Sequence, residues 1–137
     1  MTQTTNIKAR LVITSADVLP NIISEALQLT PEKTWLKGEP VHPKAINNHA
    51  ENGWALGLES PDGELIAERT IDKLIAMIPK DRLLKLHNAY KDRVSVELSL
   101  IVHLSPSGSA PSISMSEAQV AFLAQCGASF DVDLYPA

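Results

Sequence analysis

The chain contains little cysteine and no run of basic residues, and each absence excludes a class of protein. Among its 137 residues only Cys126 is a cysteine, so no disulfide can form within the chain. A lone cysteine is typical of a reducing compartment. Twelve Lys and Arg against sixteen Asp and Glu give a formal charge of −4. This balance disfavours nucleic-acid binding, which depends on clustered basic residues at phosphates.

Long apolar runs are also missing. No segment approaches the roughly 20 apolar residues that span a bilayer. The first ten residues, MTQTTNIKAR, lack the apolar core of a signal peptide. The sequence therefore predicts a cytoplasmic protein that does not bind a membrane. The length predicts a single domain over residues 1–137, with the polar residues 1–7 flexible.

The motifs of common catalytic and cofactor-binding sites are absent as well. The sequence has neither a P-loop nor a G-x-G-x-x-G dinucleotide motif. The serine-rich segment SPSGSAP, at 105–111, lacks the strand-turn-helix setting of a nucleophile elbow. Cys126 has no histidine close to it in sequence, which favours a structural thiol. We predict no cofactor and no catalytic residue.

The clearest pattern in the chain is the alternation over residues 93–104, RVSVELSLIVHL. A strand projects successive side chains to opposite faces. Six apolar side chains share one face: Val94, Val96, Leu98, Leu100, Val102 and Leu104. The positions between them are mostly polar. This pattern predicts a long strand in a sheet that has helices on one face and a largely polar second face.

Other periodic segments supply the remaining elements. Strands are predicted over 8–14, 54–58 and 130–135, and amphipathic helices over 19–27 and 67–90, the latter broken or kinked at Pro79. A third helix begins with a capping box formed by Ser116 and Gln119 and ends before Gly127. The order β-α-β-α-β-α-β predicts an α+β fold with a ferredoxin-like arrangement: one four-stranded, mainly antiparallel sheet with helices on one face.

Residues 30–52 carry no convincing period. They contain Pro31, Pro40 and Pro43 and the polar run Asn47-Asn48-His49. A loop this long in a compact domain is usually functional or mobile. The sequence therefore predicts a long irregular loop over 30–52.

Two segments resemble a known family. Leu27 to Gly38, LQLTPEKTWLKG, resembles the N-terminal signature of a bacterial family designated domain of unknown function 4279, in which a proline segment leads to Trp-x-x-Gly. The stretch SMSEAQVAFLAQCGASFDVDLY, at 114–135, is similar to the family's ending, with a Ser-capped helix, Leu-x-x-x-Gly and a strand closing in Tyr. The resemblance spans roughly residues 8–135. It implies an α+β fold and no established activity, so no catalytic residue is carried over.

Trp35, with Lys37 close by, is the first candidate for a binding residue. Tryptophan offers a large apolar face and one N–H donor, as the anchors of binding sites do. The alternative is a core residue that pins the long loop to the sheet. We favour the core, because the chain has only two Trp, two Tyr and two Phe to fill it.

His42 and His49 are candidate metal ligands, with Glu39 and Glu51 nearby, since zinc accepts imidazole and carboxylate. Their seven-residue spacing lies in irregular chain and differs from the helical H-E-x-x-H arrangement. Solvated loop histidines are the simpler interpretation, and we predict no metal.

The polar face of the long strand is the third candidate. Glu97, Ser99 and His103 project together at a period of two. A neighbouring last strand would add three polar side chains, Asp131, Asp133 and Tyr135. Carboxylates near an imidazole support acid–base chemistry, whereas a solvated face is common in antiparallel sheets. We favour the solvated face.

Taken together, the sequence favours a non-enzymatic protein-binding or interaction module, of which a homodimer or a toxin-neutralising immunity protein would be concrete forms. The alternative is a small-ligand binder or small enzyme that uses the polar sheet face and the 30–52 loop. The partner is a protein or a small molecule. The candidate contacts are Trp35, Lys37, His42, His49, Glu97, Ser99 and His103. A concave pocket where Glu97 and His103 converge would favour the alternative, and a flat apolar patch would favour a protein partner.

Overall fold

The structure is a computed structural model that describes residues 4–106 and 108–136. In these residues five strands and four helices follow one another along the chain. They are β1 (Asn6–Ser15), α1 (Pro20–Leu27), β2 (Lys33–Trp35), β3 (Asn52–Glu59), α2 (Ala67–Met77), α3 (Lys80–Ala89), β4 (Ser95–His103), α4 (Glu117–Gln125) and β5 (Ala128–Tyr135).

The strands form one mixed sheet in the order β2-β3-β1-β4-β5. β1 is central and antiparallel to both β3 and β4, and β2 is antiparallel to β3. β5 runs parallel to β4, because helix α4 crosses between them and returns the chain to the same end of the sheet. The two edges of the sheet are therefore β2 and β5.

The core lies on one face of this sheet. In β1 every second side chain is buried, from Ile7 to Ile13, and β4 contributes Val96, Leu98, Leu100 and Val102 from the same side. Buried residues of all four helices belong to this single cluster. The alternation of buried and less buried side chains in β1 and β4 thus places the helices on one side of the sheet, as the sequence predicts. The reason is that the apolar side chains on that side must be buried.

Local signals for helix ends agree with the structure. The Ser116 hydroxyl accepts from the backbone N–H of Gln119, whose side chain accepts from the Ser116 backbone N–H, so the capping box is confirmed. Pro79 separates α2 from α3 and produces two short helices. Gly127 follows α4 with a φ of +64°, a conformation that favours glycine.

The prediction of a four-stranded, mainly antiparallel sheet in ferredoxin-like order is wrong. The sheet has five strands of mixed orientation, and two helices in succession interrupt the alternation of strand and helix. The strand that the sequence did not reveal is β2, within the predicted loop 30–52. It has three residues, too few to show a period of two, and its pairing with β3 is what defines it.

The N-terminal segment enters the sheet at Asn6, the first residue of β1. Ile7 is fully buried in β1, and the buried Thr5 hydroxyl accepts a hydrogen bond from the Ser105 backbone. Of the segment predicted to be flexible, residues 1–3 lie outside the described residues. No helix in the described part of the chain is both long and apolar enough to cross a membrane.

Candidate functional site

In the residues that the structure describes, no helix packs on the second face of the sheet, and we call it the open face. It consists of the side chains of alternate strand residues that point away from the core. In register these are Lys33 and Trp35 of β2, Gly53, Ala55, Gly57 and Glu59 of β3, Asn6, Lys8, Arg10, Val12 and Thr14 of β1, Ser95, Glu97, Ser99, Ile101 and His103 of β4, and Ser129, Asp131, Asp133 and Tyr135 of β5.

Trp35 lies on the open face, at the β2 edge. Its strand pairs it with Gly53, and the indole fills the space that a side chain at Gly53 would occupy. The residue is half-buried. The interpretation of Trp35 as a core residue is therefore wrong, because the indole packs over Gly53 on the face opposite the core. Trp54 is the tryptophan of the core, with no exposed surface.

His49 completes the surroundings of this indole. The rings of Trp35 and His49 stack with centroids 5.2 Å apart and an interplanar angle of 22°. The Lys33 ammonium lies 5.8 Å from the indole centroid, within the range of a cation–π contact. The indole and the imidazole are both flat, polarisable rings against which an apolar or planar group can pack.

The chain between Leu36 and Glu51 is an ordered hairpin, which we call the arm. Its two sides are joined by backbone hydrogen bonds from Gly38 N–H to His49 C=O at 2.9 Å and from Val41 N–H to Asn47 C=O at 3.0 Å. Gly38 has a φ of +89°, which turns the chain into the arm. The predicted irregular loop is thus an extension of the β2–β3 hairpin, with hydrogen bonds that fix its backbone.

A cavity of about 430 Å³ opens between the arm and β2. It brings together three residues proposed from the sequence, Trp35, His42 and His49. The full lining is Lys33, Thr34, Trp35, Glu39, Pro40, Val41, His42, Pro43 and His49. Lys37 is not part of the lining. Its backbone N–H donates to Asn52 Oδ1 at 2.9 Å, which ties the base of the arm to β3.

Three apolar side chains on the arm are exposed to solvent. Leu36 and Val41 are each 43% exposed, and Ile46 at the tip is 99% exposed. Sequence reasoning did not single these residues out, because an isolated aliphatic residue in an aperiodic segment carries no pattern. The signal in the sequence that could have revealed this exposed apolar surface was the presence of Leu, Val and Ile in a polar, proline-containing loop.

The remaining three proposed residues lie on β4, away from the cavity. Ser99 is buried between Arg10 and Asp131 in neighbouring strands. His103 is exposed and stacks on Tyr135, with centroids 4.8 Å apart. Glu97 and His103 share the open face but are six residues apart along the strand, about 20 Å at the usual rise. These two side chains therefore do not converge on one pocket.

Arg10 is a residue of the open face that the sequence did not mark as functional. Its side chain lies beside Gly57 of β3, and its strand pairs it with Ser99. The Arg10 Nε atom is buried without a hydrogen-bond partner in the described part of the chain. An unpartnered buried donor is uncommon in proteins.

Glu97 and two aspartates of β5 form an acidic group. Burial, and then the charges of Asp131 and Asp133, raise the pKa of Glu97 above its ordinary value. A raised carboxyl pKa means that the folded state binds the proton more tightly than the unfolded state, so stability falls as pH rises between the ordinary and the raised pKa.

We therefore expect Glu97→Gln to raise the melting temperature at neutral pH relative to acidic pH, because the folded protein disfavours the charged form of Glu97. The gain should disappear below about pH 4, where a glutamate is protonated in both folded and unfolded states. Melting curves across this pH range provide the measurement. Glu25→Gln, at an exposed glutamate on α1, is the control for the removal of one negative charge. A constant effect of Glu97→Gln at every pH would contradict the assignment.

Gly53→Ala tests the position of Trp35. The new methyl group overlaps the indole, so the ring must leave its place and its stack on His49 must open. We expect a loss of about 1–2 kcal/mol in the free energy of unfolding, as in other overpacked sites, and a loss of the ring-current shift on the His49 imidazole protons. In a Trp35→Ala background the same substitution should be nearly neutral. An equal loss in both backgrounds would show that the overlap is not the cause.

Other candidate chemistry finds little support in the described residues. No group of three or more His, Cys, Asp and Glu side chains there is arranged to hold a metal ion. Cys126 is fully buried, and burial raises the pKa of its thiol while the charge of Lys80 opposes that shift. A thiol of this kind stays protonated and packs as a small apolar side chain.

The chain matches a known protein family. The family model described as "Domain of unknown function (DUF4279)" matches residues 4–137. No curated protein matches the chain, and no solved structure matches it.

Proposed function

The chain belongs to the DUF4279 family, whose function is unknown, and we propose from the geometry of the chain that it is a protein-binding module. The partner contacts the arm and the adjoining β2 edge of the open face. We further propose that binding takes place in a reducing compartment, the cytoplasm, since the single cysteine is buried and unpaired.

Ile46 is the observation that carries this proposal. Its side chain is 99% exposed at the tip of the arm, and Val41 and Leu36 add apolar surface on the same hairpin. Backbone hydrogen bonds hold the arm in shape, so the apolar side chains are displayed on a defined support. Three exposed apolar side chains on one short hairpin are what a protein-interaction site would present to a partner.

The cavity beside Trp35 gives the partner an anchoring point. Its volume of about 430 Å³ accommodates one or two side chains, and the indole and imidazole rings supply apolar walls. Binding energy in protein interfaces concentrates in a few anchors that fill such pockets. We propose that an apolar or aromatic side chain of the partner enters this cavity.

The test compares Ile46→Asp with a matched control, Met77→Asp, which places the same charge on an apolar residue of α2 that is 42% exposed. Each variant and the natural chain are immobilised and exposed to soluble proteins of the organism that encodes the chain. We expect a protein retained by the natural chain and by Met77→Asp, but lost with Ile46→Asp. Hydrogen exchange in the purified complex should then show protection in the arm.

Two outcomes would overturn the proposal. One is a set of retained proteins that does not change with Ile46→Asp. The other is protection confined to the outer surfaces of α2 and α3. If the retained protein is a toxin whose activity the domain inhibits, the module is an immunity protein. If it is the chain itself, sedimentation will show a dimer that Ile46→Asp dissociates.

A small-ligand binder is the second candidate, and the stacked pair Trp35 and His49 with Lys33 close by favours it. Such a site suits a planar or anionic small molecule. In an NMR screen, a fragment that binds here would shift the ring resonances of Trp35 and His49. The His49→Ala substitution would abolish the shifts at Trp35. Catalysis receives no support, because Glu97 and His103 do not share a pocket.

A further inference from the structure

The outer edge of β5 offers unpaired backbone groups. β5 has eight residues and pairs only with β4 in the described part of the sheet. The Leu104 N–H donates to the Tyr135 carbonyl at 2.9 Å, so the backbone groups of Tyr135 point towards β4. Because direction alternates along a strand, the N–H and C=O groups of Phe130, Val132 and Leu134 point outwards. An edge of this kind is a template for another strand.

The side chains of this edge alternate between apolar and acidic. Phe130 and Leu134, on the helix side of the sheet, are 36% and 54% exposed. Asp131 and Asp133, on the open face, are both exposed. In the described part of the chain neither aspartate forms a salt bridge. The edge therefore carries uncompensated negative charge on one side and uncovered apolar surface on the other.

A second copy of the chain is a poor occupant of this edge. Antiparallel pairing of β5 with itself has its longest overlaps when it centres on Asp131 or Val132. Each of these registers places aspartate opposite aspartate on the open face. Like charges opposite one another destabilise a strand pair, whereas opposite charges stabilise it. The charges thus select against self-pairing and in favour of a basic strand.

We propose that the outer edge of β5 binds an extended segment of another protein by strand addition, and that this segment alternates apolar residues with lysine or arginine. The added strand forms hydrogen bonds with the outward groups of β5. Its apolar side chains cover Phe130 and Leu134, and its basic side chains lie opposite Asp131 and Asp133. This surface is at the opposite edge of the sheet from the arm, so it is independent of the function proposed above.

The test uses synthetic peptides as probes. An acetylated and amidated octapeptide of alternating valine and lysine is titrated into the protein, and amide resonances are followed by NMR. Two further octapeptides carry glutamate or serine in place of lysine. We expect shifts centred on β5 for the lysine peptide, and binding about tenfold weaker or more for the glutamate peptide. The Asp131→Asn/Asp133→Asn double variant should remove that preference.

A proline variant separates strand addition from simple charge attraction. Leu134→Pro removes one outward N–H donor without removing a donor to β4, and edge strands tolerate such a proline. We expect it to weaken the lysine peptide about three- to tenfold, the value of one hydrogen bond. Leu134→Thr keeps the N–H and should bind more tightly than Leu134→Pro. Melting curves confirm that both variants are folded.

Several results would overturn this proposal. They are an absence of lysine-peptide binding, equal binding of the lysine and glutamate peptides, affinity unchanged by Leu134→Pro, and shifts centred on the arm. Self-association of the peptide-free protein through β5 would also overturn it, since the edge would then be occupied by a second copy.

Discussion

Trp54→Ala is expected to cost about 3–5 kcal/mol of the free energy of unfolding, as truncation of buried aromatics does. Trp54 has no exposed surface, and its indole N–H donates to the Ser24 hydroxyl at 3.0 Å. The substitution therefore leaves a cavity between β3 and α1 and a hydroxyl without its donor. Small domains are stable by only about 5–15 kcal/mol. A substantial fraction of Trp54→Ala molecules should therefore be unfolded under mild denaturing conditions.

Urea unfolding followed by circular dichroism provides the measurement, with Trp35→Ala as the matched control. Trp35 is half-buried on the open face, so its truncation should cost only about 1–2 kcal/mol, an ordinary value for single substitutions. The sequence alone favoured a core position for Trp35 and hence a larger loss. Equal losses for the two tryptophans would contradict their placement on opposite faces of the sheet.

Gly127→Ala should produce the second largest effect, a loss of about 2–3 kcal/mol. Its φ of +64° alone makes any other L-residue unfavourable by about 1–2 kcal/mol. In addition, a methyl group at Gly127 would overlap the imidazole of His87 on α3. The substitution must therefore strain the backbone after α4 and displace His87 from its place.

Two controls separate these causes. Gly63 has a φ of +79° with no atom within 4 Å of the added methyl position, so Gly63→Ala measures the backbone cost alone. In a His87→Ala background the overlap is relieved, and Gly127→Ala should then cost no more than Gly63→Ala. If Gly127→Ala lowers the free energy of unfolding equally in the natural chain and in the His87→Ala background, overlap with the His87 ring is not a cause of the loss.

The two proposed binding surfaces lie at opposite edges of one sheet. The arm extends from the β2–β3 hairpin, and the acidic edge belongs to β5. Occupation of one does not cover the other, so the domain has room for two segments of protein at once. Ile46→Asp and Leu134→Pro should accordingly act independently, each on its own partner.

Part of the candidate site could be predicted from the sequence. The alternation in β4 correctly placed Glu97, Ser99 and His103 on one face, because a period of two is a property of the strand itself. The gathering of Trp35, His42 and His49 around one cavity could not be predicted. It depends on the hairpin of the arm, whose hydrogen bonds join residues that share no period.

By itself the sequence determined the features that depend on near neighbours. These are the capping box of Ser116 and Gln119, the break at Pro79, the turn at Gly127 and the buried face of β4, each fixed by residues a few positions apart. Only the tertiary structure decided that Lys33–Trp35 is a strand, that β5 runs parallel to β4, and that Trp35 lies over Gly53 outside the core. Strand pairing and burial are contacts between segments distant in sequence, and no local pattern specifies which segments meet.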